Sequence, residues 1–140
     1  MRELAQRIRV GLAMMYARRS RANIGKPFME CVTEPDLSNV YLANPEGCPK
    51  CYKGRSGRTV CAEIIETDVK LMELLQDNRM EEAENYWLSP AGLNGVTMLQ
   101  RGLEKVAAGE ASPDDAEFEL GIFARERDIL EVETKLGPMR

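Results

Sequence analysis

Leu4, Ile8, Leu12 and Met15 recur at helical spacing, which predicts an amphipathic helix over residues 2–20. Gly11 weakens that helix slightly, and Asn23, Gly25 and Pro27 end it. From Pro27 to Tyr52 the chain is rich in Pro, Asn and Gly, with one short β-prone piece at Val40, Tyr41 and Leu42. Within that stretch, Asn44-Pro45-Glu46-Gly47-Cys48-Pro49-Lys50-Cys51 suits only a tight, turn-filled loop. After Gly54 and Gly57, residues 58–66 alternate and are rich in β-branched side chains. They predict a strand with Val60, Ala62 and Ile64 on one face, forming a short ribbon with residues 40–42.

The remainder reads as helices. Thr67 and Asp68 signal a start, and Val69, Leu71, Met72, Leu74 and Leu75 supply the apolar positions that follow. Ala83, Tyr86 and Trp87 line a second helix over 80–88, stopped by Ser89-Pro90. Val96, Leu99, Leu103 and Val106 form one stripe of a third, with Gly109 where a C-terminal cap belongs. Ser112-Pro113-Asp114-Asp115 then combines an N-cap, a proline in the first turn and acids near the positive end of the helix dipole. A last, charged helix over 122–136 should bury Ile122, Ile129, Leu130 and Val132. The expected fold is mainly α with a small β element (α+β), a helical bundle following a cysteine-containing loop and a short β-ribbon. Trp87, Tyr86, Leu74, Leu99, Leu103 and Val106 are expected to form its main core. The chain divides into a basic helix (1–22), a cysteine loop with ribbon (23–66) and a helical remainder (67–140).

Composition narrows the class. At 140 residues, with 44% hydrophobic and 30% charged positions, the chain can build a real core, largely aliphatic because aromatics are only 6%. The net charge of −4 is unevenly spread: Arg2, Arg7, Arg9, Arg18, Arg19, Arg21 and Lys26 precede Pro27 and face one acid, Glu3. Such a helix can bind nucleic acid or a membrane, or its arginines can pair with the acidic remainder or a neighbouring subunit. With Tyr16 as the lone aromatic among the arginines, little interleaves with them as a single-strand nucleic-acid binder requires. No apolar run approaches the ~18 residues of a membrane span. Val10 to Ala17 runs into Arg18-Arg19 where a signal peptide needs small residues, so the four cysteines are expected to be cytosolic thiols or metal ligands.

Candidate chemistry is sparse. No phosphate-binding loop exists, since the only Gly-Lys, Gly25-Lys26, is followed by proline. There is no histidine, which removes Ser-His and Cys-His nucleophiles and histidine metal ligands together. Cys48 and Cys51 are spaced to grip one side of a zinc ion, with Cys31 as a weaker third ligand, or to stand as inert or redox-active thiols. Cys61 falls inside the expected strand and reads as a small buried hydrophobe. The turn Gly54-Arg55-Ser56-Gly57-Arg58-Thr59 offers arginines that can stay solvated or clamp a carboxylate.

Taken in order, Gly47-Cys48-Pro49-Lys50-Cys51, Gly54-Arg55-Ser56-Gly57-Arg58-Thr59 and Glu63-Ile64-Ile65 resemble the C-terminal region of the type II secretion and type IV pilus assembly ATPases, the GspE/PilB family. Asp68 to Leu75, Gly95 to Leu99, Gly102-Leu103-Glu104-Lys105-Val106 to Gly109 and Ser112 to Asp115 are similar to the segments that follow there. Leu4-Ala5-Gln6-Arg7-Ile8 resembles the helix closing that family's nucleotide-binding core, so the resemblance spans residues 3–121, closest to the type IVb branch. Two departures stand out. Met15 to Arg19 occupies the place of a second Cys-x-x-Cys, so half of the family's four-thiol zinc site is missing, and the family's nucleotide-binding motifs have no counterpart.

The resemblance implies a structural and coupling region, a separated C-terminal segment or a divergent partner subunit, within a cytoplasmic hexameric motor at the inner membrane. It implies contacts with neighbouring ATPase subunits and an inner-membrane platform protein, and possession of the motif residues Gly57 and Arg58. ATP and magnesium would be bound only by residues outside this chain, which is expected to be inactive alone. Zinc is the one candidate cofactor. The alternative is a free-standing zinc-knuckle or helical adaptor protein.

Overall fold

A computed structural model describes residues 2–51 and 54–139; the expected end of the loop at Tyr52 lies outside them. Among the described residues there are seven α-helices: α1 (Arg2–Arg19), α2 (Phe28–Cys31), α3 (Val69–Gln76), α4 (Met80–Leu88), α5 (Met98–Ala107), α6 (Pro113–Leu120) and α7 (Glu126–Leu136). One 3-10 turn, Arg21–Asn23, follows α1. The mainly helical class is as expected. The β-ribbon is not formed: residues 40–42 and 58–66 carry no strand, and the described chain has only one isolated bridge residue, Arg55. A lone two-stranded ribbon is marginal in water, and here the second segment bonds to helices instead.

The core is organised on α1 rather than on Trp87 and Tyr86. Ile8 to Met15 are all buried, so the expected amphipathic helix has no polar face along its middle. On one side Ile8, Leu12 and Met15 pack with Leu103, Val106, Ala116 and Phe123. On the other, Val10, Ala13, Met14 and Ala17 pack with Val32, Ala124 and Val132. A leucine as buried as Leu103, at 3% exposure, typically costs about 2–5 kcal/mol when cut to alanine. Gly11 makes this arrangement possible. A Cβ there would lie 3.0 Å from the Phe123 carbonyl oxygen and 3.1 Å from its Cβ, so a larger residue would push the α6–α7 connection a few tenths of an ångström off α1.

Arginines on α1 tie the same helices together. The Arg7 Nε donates to both Glu117 oxygens at 3.0 and 2.8 Å, and its Nη2 donates at 2.6 Å, joining α1 to α6. Arg9, only 4% exposed, donates to Glu34 at 2.8 and 2.6 Å and to the Gly137 carbonyl at 2.8 Å. It thereby holds the segment after α2 and the end of α7. Arg19 pairs with Glu104 of α5, and the Arg18 guanidinium lies 5.1 Å from the Phe28 ring centre. Of the basic N-terminal residues, Arg7, Arg9 and Arg19 are therefore paired with the acidic remainder.

The α3–α4 hairpin has its own small cluster of Leu71, Leu74 and Ala83, with Tyr86 and Leu93 against it. Asp68 links it by accepting the Leu71 N–H at 2.8 Å and the Tyr86 hydroxyl. The Tyr86 bond and then the Leu71 N–H hold the Asp68 carboxyl below its ordinary range. α5 starts at Met98, after Val96 of the expected stripe, and its N-cap Thr97 forms a reciprocal capping box with Gln100; Gly109 follows its end as expected, with φ +78°. Ser112 precedes α6 as expected, but its hydroxyl bonds to the Asp114 carboxylate instead of capping the backbone. In the last helix Ile122 and Leu130 are exposed, at 57% and 71%, while Phe123 and Ala124 are buried. The helix begins only at Glu126, which turns the preceding residues inward as a loop.

Glu117 provides a pH test. Burial pushes its carboxyl up, but the Arg7 guanidinium and the Phe123 N–H outweigh that and hold it below the ordinary range. A carboxyl lowered in the folded state stabilises above its unfolded pKa and ceases to do so as pH falls through the folded one. Glu117→Gln should therefore cost about 1–3 kcal/mol near neutral pH, measured by urea denaturation. The difference from wild type should shrink below about pH 4.3; a difference independent of pH would contradict the ion pair.

Candidate functional site

The cysteine loop is closed by its own backbone. Asn44 Oδ1 accepts the Glu46 N–H at 3.1 Å, and the Asn44 carbonyl accepts the Gly47 N–H at 3.0 Å. The Cys51 N–H then reaches the Cys48 carbonyl at 3.2 Å, a β-turn that sets both thiols on one side. Gly54, at φ +85°, seals the loop against its beginning: a Cβ there would meet the Asn44 oxygen at 2.4 Å and nitrogen at 2.7 Å. Cys48 Sγ lies 3.2 Å from Cys51 Sγ, and the Cys48 N–H donates to Cys51 Sγ at 3.0 Å. The Cys48 thiol bonded to Cys51, together with the Cys48 and Gly54 N–H groups, holds the Cys51 thiol below its ordinary range despite a push upward from lost solvation. Cys48 is exposed and Cys51 is half-buried.

Beyond the loop, the chain runs along α5 and α6 as an extended ribbon. Arg55 Nε and Nη2 each donate to the Asp115 carboxylate at 2.7 Å, a bidentate clamp at the start of α6. That contact lowers the Asp115 pKa. Lys105 Nζ donates to Thr59 Oγ1 at 2.7 Å, and Glu63 Oε1 accepts the Met98 N–H at 3.0 Å in the first turn of α5. The partner positions descend from 115 through 105 to 98 as the ribbon ascends from 55 to 63, so the ribbon runs antiparallel to α5. Val60, Ile64 and Ile65 stay exposed, at 77%, 74% and 53%. The face expected to be buried, Val60, Ala62 and Ile64, instead stays open to solvent and lines a shallow groove with Arg101, Glu104 and Lys105 of α5.

The structure joins Cys48 to Cys51 and the Gly-Arg turn to the helices, but it does not join every expected site residue. Cys31 lies on α2, where its thiol donates to the Pro27 carbonyl at 3.4 Å. Among the described residues no group of three or more His, Cys, Asp or Glu side chains could hold a metal ion. Two thiolates are too few for a structural zinc site, and sulfurs 3.2 Å apart are closer than the roughly 3.8 Å across a tetrahedral zinc. The residues therefore do not fit a closed zinc centre. Gly57 has open space around it, and Arg58 is exposed while Arg55 makes the carboxylate clamp. Asp115 and Lys105 were missed as partners of the turn; their only sequence signal was a position beside a helix start and on a helix face.

No helix is long and apolar enough to cross a membrane among the described residues. No protein-family model, curated protein or solved structure matches the chain.

Gly54→Ala tests the closure of the loop. Positive φ costs a side-chain-bearing residue about 1–2 kcal/mol, and the Asn44 backbone leaves the added methyl no room. Tryptic cleavage after Lys50 should accelerate several-fold while far-UV circular dichroism keeps its helical signal. Unchanged cleavage would mean that the loop is not sealed at Gly54.

Proposed function

We propose that the chain is the structural and coupling region of a secretion or type IV pilus assembly ATPase, with nucleotide bound and hydrolysed by residues outside it. The observation that carries this reading is the attachment of the Gly-Arg turn and extended segment along α6 and α5, with the cysteine turn closed ahead of them. These are the segments whose order resembles the family, and contacts through Asp115, Lys105 and the Met98 N–H join them to the helices. Such an attachment suits transmission of force, because a pull on the ribbon is resisted by two helices at once. The exposed Val60, Ile64 and Ile65 give a neighbouring ATPase subunit of the hexamer an apolar, extended edge to meet. The inner-membrane platform protein is the other proposed partner, with the work done in the cytoplasm at the membrane surface. ATP and magnesium belong to the neighbouring core.

A free-standing helical adaptor is the second reading, favoured by the completeness with which this chain's own helices wrap α1. The zinc-knuckle version of that reading lacks ligands. Two measurements separate the possibilities. The purified chain should turn over no ATP above buffer, and measurable turnover would contradict the coupling role. A photo-crosslinking residue replacing Ile64 should, in cells, capture a subunit bearing a phosphate-binding loop or the platform protein. Capture only of proteins outside any secretion or pilus machine would favour the adaptor.

A further inference from the structure

We propose that Cys48 and Cys51 form a reversible dithiol–disulfide couple, a modification site that sets the stiffness of the turn from Cys48 to Cys51. Neither metal nor partner is needed for this chemistry, because both reacting sulfurs are already in contact at 3.2 Å. The separation is about 1.2 Å longer than a disulfide bond, a gap that rotation of two side chains closes. The β-turn bond from the Cys51 N–H to the Cys48 carbonyl holds the two backbones in place meanwhile. Cys31 and Cys61 lie in other segments, and all four cysteines are free in this structure.

The oxidant is a low-molecular-weight disulfide. The exposed Cys48, as thiolate, attacks one of its sulfurs, so that the external S–S bond breaks, a mixed disulfide forms and one small thiolate leaves. That leaving group takes up the proton Cys48 released to solvent. Cys51, as thiolate and steadied by the Cys48 N–H at 3.0 Å, then attacks Cys48 Sγ. The second small thiolate departs and takes up the Cys51 proton. Two protein thiols are oxidised by two electrons, and one disulfide is reduced to two thiols. The half-buried position of Cys51 assigns it the resolving role, since an external disulfide meets Cys48 first.

Closure would act on a segment fixed at both ends. Gly54 abuts Asn44, and Arg55 is clamped to Asp115 at 2.7 Å. A covalent link therefore stiffens the Cys48–Cys51 turn while leaving the helices untouched. This inference does not depend on the coupling role, because the chemistry needs only the loop.

The test uses the full chain carrying Cys31→Ser and Cys61→Ser, equilibrated in glutathione buffers from fully reduced to fully oxidised, trapped with iodoacetamide and weighed by mass spectrometry. Expected is a transition from two alkylated thiols to none, with loss of two hydrogens and no attached glutathione. Adding Cys51→Ser should halt the product at the mixed disulfide on Cys48. Mapping of the oxidised wild-type chain gives the same reading if the serine variants fold poorly. Thiols that stay alkylatable in oxidised glutathione alone would overturn the proposal, as would products that are only mixed or intermolecular disulfides. Zinc bound at one per chain and shielding both sulfurs until chelated would also overturn it.

Discussion

Eight consecutive buried residues, Ile8 to Met15, leave the middle of α1 without a face for water. A helix in that condition must be covered from every side, and the segments that cover it come from distant parts of the sequence. Leu103 and Val106 arrive from α5, Ala116 from α6, Phe123 and Ala124 from the connection after it, Val132 from α7 and Val32 from the stretch after α2. Each fully buried aliphatic side chain among them contributes about 1.5–3 kcal/mol relative to exposure. Since α1 carries Arg9 into this interior, a charge there must be met. Glu34 and the Gly137 carbonyl supply its partners, beside Val32 and Val132, which bring the same two segments onto α1.

This arrangement settles where mobile and rigid parts fall. The α3–α4 hairpin shares little of the central core and has only a small cluster of its own, so local opening should be easiest there. The face of α5 and α6 that carries the ribbon is the reverse side of helices whose other faces cover α1. Arg55, Thr59 and Glu63 are thus attached to the best-anchored part of the molecule. Under the proposed coupling role, a force-bearing connection would sit there.

Much of the helical layout was legible because periodicity and caps agree with the tertiary fold. Gly109 after α5 and Pro113 in the first turn of α6 each carry a local signal that packing did not override, whereas the Thr97–Gln100 capping box went unread. The errors have physical causes. Val60, Ala62 and Ile64 alternate as a half-buried strand would, yet alternation cannot say whether a partner strand exists. Trp87 and Tyr86 are the largest side chains on the helices, but Tyr86 packs on a small peripheral cluster and Trp87 lies against Gly95, outside the core around α1. The aliphatic run of α1 looked one-sided because only Leu4, Ile8, Leu12 and Met15 keep the helical spacing of a single stripe. Arg9 is buried through a long-range carboxylate, and Gly11 by close contact with Phe123, neither of which a local pattern reveals. The pairing of Cys48 with Cys51 was readable from spacing and turn chemistry, whereas the Arg55–Asp115 clamp required the fold.

Native-state hydrogen exchange, resolved by residue, probes the dependence of the whole structure on α1 most directly. Amides between Ile8 and Met15 should exchange only through global unfolding, with protection equal to the full unfolding free energy from denaturant titration, and those of α3 and α4 should exchange sooner. Faster exchange in α1 than in α3 and α4 would contradict a fold built around that helix.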